Sequence, residues 1–187
     1  MYISSGIFTP CAGVVSGNYE TTPKGGTTYW NVVQYNGSSA NSVGLQAKKV
    51  FGAVFNDYAE YRSAEADPGR CIIENGDGTL SLSTDRLQLG ANIVSDTYGF
   101  AIGETDKATC PVAVCGRVLV YPLESKELFT PGAAVCSGPE GTVSLMTREE
   151  IREWPDAIIG YVSEVPTYNT WGSDNVPVNG RIWIKIK

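Results

Sequence analysis

The sequence predicts an all-β chain, a short-strand sandwich or distorted barrel with one short helix, preceded by a small β-rich N-terminal segment. Three observations carry that expectation. The 187 residues include 21 glycines and 10 prolines beside 10% aromatics, a mixture rich in turn formers and strand formers. Apolar residues come in short runs bounded by turn residues and not at helical spacing. One stretch alone carries a full helix-start signal. A hydrophobic content of 42% is ample for a core of this size.

Taken in order, residues 1–48 are rich in Gly, Ser, Thr and Asn and poor in charge, and read as a shaft-like or hairpin segment. Ile7-Phe8 and Thr28–Tyr35 are its expected strands, with Gly25-Gly26 and Asn36–Ser39 as turns. Residues 49–187 read as the main all-β domain. Leu80-Ser81-Leu82 alternates after the turn Asn75–Gly78, which predicts a hairpin. Val112–Tyr121 predicts a long strand whose interior Gly116 marks a bulge or bend. Thr147 with Glu150 forms a capping box leading into Ile151–Trp154, and Pro155 stops that helix. In the last strand Ile182, Ile184 and Ile186 line one face, and Lys185 and Lys187 are expected to guard an exposed edge.

Composition excludes several functions. The net charge of −6 and the absence of any basic cluster argue against nucleic acid. No apolar run reaches the length of a membrane helix, and no signal peptide is evident, so a soluble protein without membrane insertion is expected. The chain contains no histidine, which rules out an internal Ser-His-Asp or Cys-His relay and any histidine-dependent zinc site. Cys11, Cys71, Cys110, Cys115 and Cys136 show no Cys-x-x-Cys spacing and read as small buried apolar residues. No metal and no cofactor is expected.

The most informative stretch is Phe55-Asn56-Asp57-Tyr58-Ala59-Glu60-Tyr61-Arg62, directly after the apolar run Val50–Phe55. Two acids three residues apart point to opposite faces of a strand but share a face in a turn. The expectation is a strand that ends in a turn and brings Asp57 and Glu60 together among aromatics. There one carboxyl can keep its proton while the other ionises. Arg62 is a candidate ion-pair partner for either acid.

Asp57-Tyr58-Ala59-Glu60 followed by an aromatic resembles the signature of the autoproteolytic intramolecular-chaperone domain at the C-terminus of phage tail spikes and neck appendages. The similarity extends through Gly99–Glu104, Pro111–Val118, Pro131–Val135, Ile159–Glu164 and Gly180–Ile184. The resemblance implies a tail-fibre or appendage domain that promotes homotrimer folding and assembly, made in the host cytoplasm and carried in the virion beside other tail proteins. It implies Asp57 and Glu60 as the catalytic pair, with cleavage between Asn56 and Asp57. In a trimer the second acid could come from a neighbouring subunit. Asn56 stands where the family pattern has serine. Three alternatives stay open. Asp57 and Glu60 could simply cap a turn, the Asn56 side chain could attack its own carbonyl, or the domain could be a non-catalytic structural cap or receptor-binding tip. For a tip that binds host surface glycans, Tyr168 and Trp171, in an expected loop at 168–173, are the candidate aromatics.

Overall fold

The computed structural model describes residues 57–172 and 174–187, together with the backbone of two strands at 13–16 and 31–34. The chain divides into two compact units, Met1–Phe51 and Gly52–Lys187. In the first, β1 (Gly13–Ser16) pairs antiparallel with β2 (Asn31–Gln34). β2 falls within the expected strand at 28–35. Ile7-Phe8 and the apolar run Val50–Phe55 lie outside the described residues.

The second unit is a curled, mostly antiparallel sheet resembling a half-barrel. Its first strands are β3 (Asp57–Arg62), β4 (Cys71–Glu74), β5 (Leu80–Leu82), β6 (Ala91–Val94), β7 (Tyr98–Ile102) and β8 (Cys110–Val120). Then come β9 (Ala134–Ser137), β10 (Val143–Leu145), the helix α1 (Arg148–Glu153) and β11 (Gly160–Glu164). A small hairpin of β12 (Thr170–Trp171) and β13 (Val176–Pro177) precedes β14 (Ile182–Ile186). The main sheet runs β10-β9-β11-β14-β8-β6-β4-β5, with β3 on β8 and β7 on β3. The β3–β7 pairing is parallel.

The long β8 organises this sheet. Its N-terminal half pairs with β3 and β6, its C-terminal half with β14. Tyr58 faces Cys115 while Ala59 faces Ala113, so Val114 is an additional residue in β8. That bulge has a consequence for packing. Ala113 and then Val118 and Val120 all join the main core, which strict alternation would forbid, since odd and even positions point to opposite faces. The extra residue restores the inward phase. Gly116, at φ 106°, supplies the backbone conformation beside it.

The main core joins Cys71, Ile93, Val118, Val120, Val135, Val143, Ile182 and Ile184 inside the curl. Trp183, on the other face of β14, forms a second layer with Leu119, Val176 and Val178. The curl is tied where the Gly141 N–H donates to the Ser83 carbonyl (3.0 Å) and the Ser83 hydroxyl to the Gly138 carbonyl (2.6 Å). Gly141 sits at φ 70°, and a Cβ there would lie 3.2 Å from the Cys71 carbonyl oxygen, so glycine is required at that closure.

Several expectations hold. The β4–β5 hairpin follows the 75–78 turn, and Asp77 accepts from the Thr79 N–H (3.0 Å) and hydroxyl (2.7 Å). The Thr147–Glu150 capping box is present in both directions. Three differ. β14 is an interior strand between β11 and β8, so Lys185 guards no edge; a short apolar run cannot show which neighbours will cover it. Cys71, Cys110 and Cys136 are buried, but Cys115 is exposed because the bulge turns it outward; Cys11 lies outside the described residues. The expected loop at 168–173 contains β12, which pairs with β13 beyond it.

Candidate functional site

Asp57 opens β3, with Gly116 of β8 opposite it and Tyr98 of β7 on the other side. The motif is therefore strand throughout and not the end of one. Aromatic Tyr58 and Tyr61 favour extended backbone, and hydrogen bonding on both sides leaves β3 no freedom to turn. Asp57 and Ala59 are buried while Glu60 is exposed. The expectation that the two acids meet within one chain is corrected by this geometry. Glu60 is absent from the charges that act on Asp57.

Asp57 is 7% exposed. Its Oδ1 accepts a hydrogen bond from the Thr97 hydroxyl at 2.8 Å. Thr97 is itself held by its N–H to the Ser95 Oγ at 3.0 Å, and the Ser95 N–H donates to the Pro111 carbonyl at 2.8 Å. The other oxygen, Oδ2, is buried with no hydrogen-bond partner. Burial raises the pKa to about 6; the Ser95 and Thr97 hydroxyls oppose that rise and the Asp96 charge adds to it. A buried carboxylate with an unsatisfied oxygen is costly, so the site holds its proton to a higher pH than a solvated aspartate does.

Asp96 makes a different choice. Its two oxygens take the Arg181 guanidinium bidentately, at 2.8 and 2.9 Å. Arg181 is 3% exposed and also donates to the Val178 carbonyl at 3.2 Å and to the Pro177 carbonyl. The turn that holds Asp57 is thereby anchored to β14. Tyr98, next along, shares a hydroxyl hydrogen bond with Tyr61 at 2.9 Å. That bond, with burial, pushes the Tyr98 phenol up to about 12.

Glu60 is exposed on β3 and, with Arg62, lines a cleft of about 510 Å³ whose apolar wall includes Val112, Ile159 and Ile186. Arg62 pairs with Glu74 at 3.1 Å and with neither motif acid. Beside Glu60, the Tyr58 ring stacks on Phe100 with centroids 5.3 Å apart. Phe100, Ile102 and Val114 are all exposed there, an apolar strip across three adjoining strands. Asn56 lies outside the described residues.

Tyr168 and Trp171 are half-buried over the Trp183 layer. The Trp183 indole donates to the Tyr168 hydroxyl at 2.8 Å, and Trp171 packs edge-on to Trp183 with centroids 5.0 Å apart. Among the described residues no cluster of three or more His, Cys, Asp or Glu could hold a metal, and no helix is long and apolar enough to cross a membrane. Sequence reasoning missed Ser95, Asp96, Thr97 and Arg181. The available signal was Ser95-Asp96-Thr97, three polar residues directly after the apolar Ile93-Val94. Searches against protein-family models, curated proteins and solved structures find no match to this chain.

Proposed function

We propose that this chain is the C-terminal cap of a phage tail fibre or appendage, a domain that promotes homotrimer assembly and cuts itself between Asn56 and Asp57. The observation that supports it is the Asp57 carboxyl, which is buried, half-unsatisfied and raised to about 6, and belongs to the residue that follows the scissile bond. In this reading water adds to the Asn56 carbonyl and the carbon–nitrogen bond breaks. The protonated Asp57 carboxyl delivers its proton to the departing amine as general acid. Glu60 is exposed and stands apart from the Asp57 of its own chain, so it serves a neighbour and takes the proton from the attacking water. The strip of Phe100, Ile102 and Val114 fits the subunit contact that brings Glu60 there. Tethering supplies the high effective concentration of the bond to be cut.

Mixed assembly tests this reading. The wild-type chain is expected to give two fragments on a denaturing gel, and Glu60→Gln one intact band. In trimers assembled from Glu60→Gln and Asp57→Asn subunits, only the Glu60→Gln chain should be cut, by the neighbour's Glu60. A trimer that stays intact in every combination refutes the cleavage and leaves a non-catalytic cap. A monomer refutes the assembly role as well.

A further inference from the structure

A second cavity, of about 220 Å³, opens between the segments at 166–169 and 178–180, next to Lys126. We propose that it is a binding site for one neutral saccharide ring. The proposal does not rest on self-cleavage or on trimer formation.

Chemistry, size and rigidity each support the assignment. Thr167, Asn169 and Asn179 are exposed at the cavity, and their side chains have no hydrogen-bond partner among the described residues. Two amides and a hydroxyl offer paired donors and acceptors, the arrangement that adjacent sugar hydroxyls require. Tyr168 lines the same space, and an aromatic ring is a surface on which the C–H face of a pyranose packs. Lys126 is the one cation at the cavity, and its charge acts on the adjacent Glu127 carboxylate, which also takes a hydrogen bond from Ser125. With one exposed lysine beside an acid, and the chain at −6 overall, an anionic sugar gains little. Pockets for larger organic ligands run from about 300 Å³ upward, so this one suits a single ring.

The walls are fixed before any ligand arrives. The Val178 N–H donates to the Asn169 carbonyl at 2.8 Å, joining the two segments, and the Arg181 N–H closes the turn at 178–181 onto the Val178 carbonyl at 2.9 Å. The Trp183 indole pins Tyr168 at 2.8 Å. Rigid walls lower the ordering cost of binding. Gly180, at φ 77°, has nothing within 4 Å of where a Cβ would stand, so the space beside it is open.

The test is a titration of the full chain, followed by backbone amide NMR, with the methyl glycosides of glucose, galactose, N-acetylglucosamine and rhamnose, and of glucuronic acid as the anionic control. At least one neutral glycoside is expected to shift the amides of Asn169, Asn179 and Gly180 saturably, with Kd on the order of 1 mM. Gly180→Asn, which places a side chain in the open space at a φ asparagine tolerates, should weaken that binding at least about tenfold. Asn179→Gly, which keeps the backbone favourable while removing the amide, should also weaken it and serves if the first variant misfolds. Absence of saturable shifts with every neutral glycoside, shifts that both variants retain, or binding of the glucuronide alone would each overturn the proposal.

Discussion

At its C-terminal end β8 runs through sealed surroundings, with Val118, Leu119 and Val120 fully buried between the core and the Trp183 layer. Around its N-terminal half the same strand carries exposed Val114 and Cys115 and, through β3, faces the exposed Phe100 and Ile102 of β7. The two regions also treat an acid differently. Asp96, tied to the sealed end through Arg181, has both oxygens in charge-assisted hydrogen bonds. Asp57, at the open end, leaves one oxygen without a partner. Stability rules are satisfied in one region and relaxed in the other, and relaxed rules mark where function is to be sought. The apolar strip does nothing for a lone subunit, yet it flanks the strand that Asp57 opens.

Breaking the sealed region should produce the largest effect. Arg181→Ala leaves the half-buried Asp96 and two backbone carbonyls without their partner, and losing these bonds and the packing of the buried side chain should cost about 2–4 kcal/mol. Denaturant unfolding at neutral pH measures it, and the Thr97 support of Asp57 should loosen with it.

The open region yields a pH dependence of opposite sign to the usual carboxylate. The folded pKa of Asp57 lies above its ordinary value, about 6 against 3.8, so the folded state holds the extra proton between them. Its stabilising contribution is complete below about pH 4 and is lost as pH rises through about 6, by about 3 kcal/mol at most. Asp57→Asn should flatten that fall, as thermal unfolding between pH 4 and pH 8 would show. An unchanged slope would mean the carboxyl is already ionised in the fold.

Smaller changes sharpen the contrast. Thr147→Ala removes the cap of α1 and should cost about 1 kcal/mol, with no change in assembly. Phe100→Ser, on the exposed strip, should alter subunit stability by no more than about 0.5 kcal/mol yet weaken association, as sedimentation at several concentrations would reveal. Unaltered assembly would remove the strip from any subunit contact.

Local signals in the sequence anticipated those features that local chemistry decides. The hairpin after Asn75–Gly78, the α1 capping box and the irregularity near Gly116 each depend on a few neighbouring residues. The arrangement of Asp57 and Glu60 depends instead on β7 and β8 closing on β3 from both sides, and spacing within the motif cannot reveal that. Burial of β14 escaped for the same reason, because Lys185 and Lys187 suggest an edge until β11 is placed beside them. The Ser95-Asp96-Thr97 turn was visible as a polar interruption, but its bonds to Asp57 and Arg181 join residues distant in sequence.

The proton on Asp57 is the point on which the candidate site turns. A carbon-detected NMR titration of the side-chain carboxyl in the folded chain measures it directly. The expected midpoint lies near 6. A midpoint near the ordinary 3.8 would contradict it, because at neutral pH a pKa near 6 leaves about one carboxyl in ten with a proton to deliver, whereas 3.8 leaves fewer than about one in a thousand.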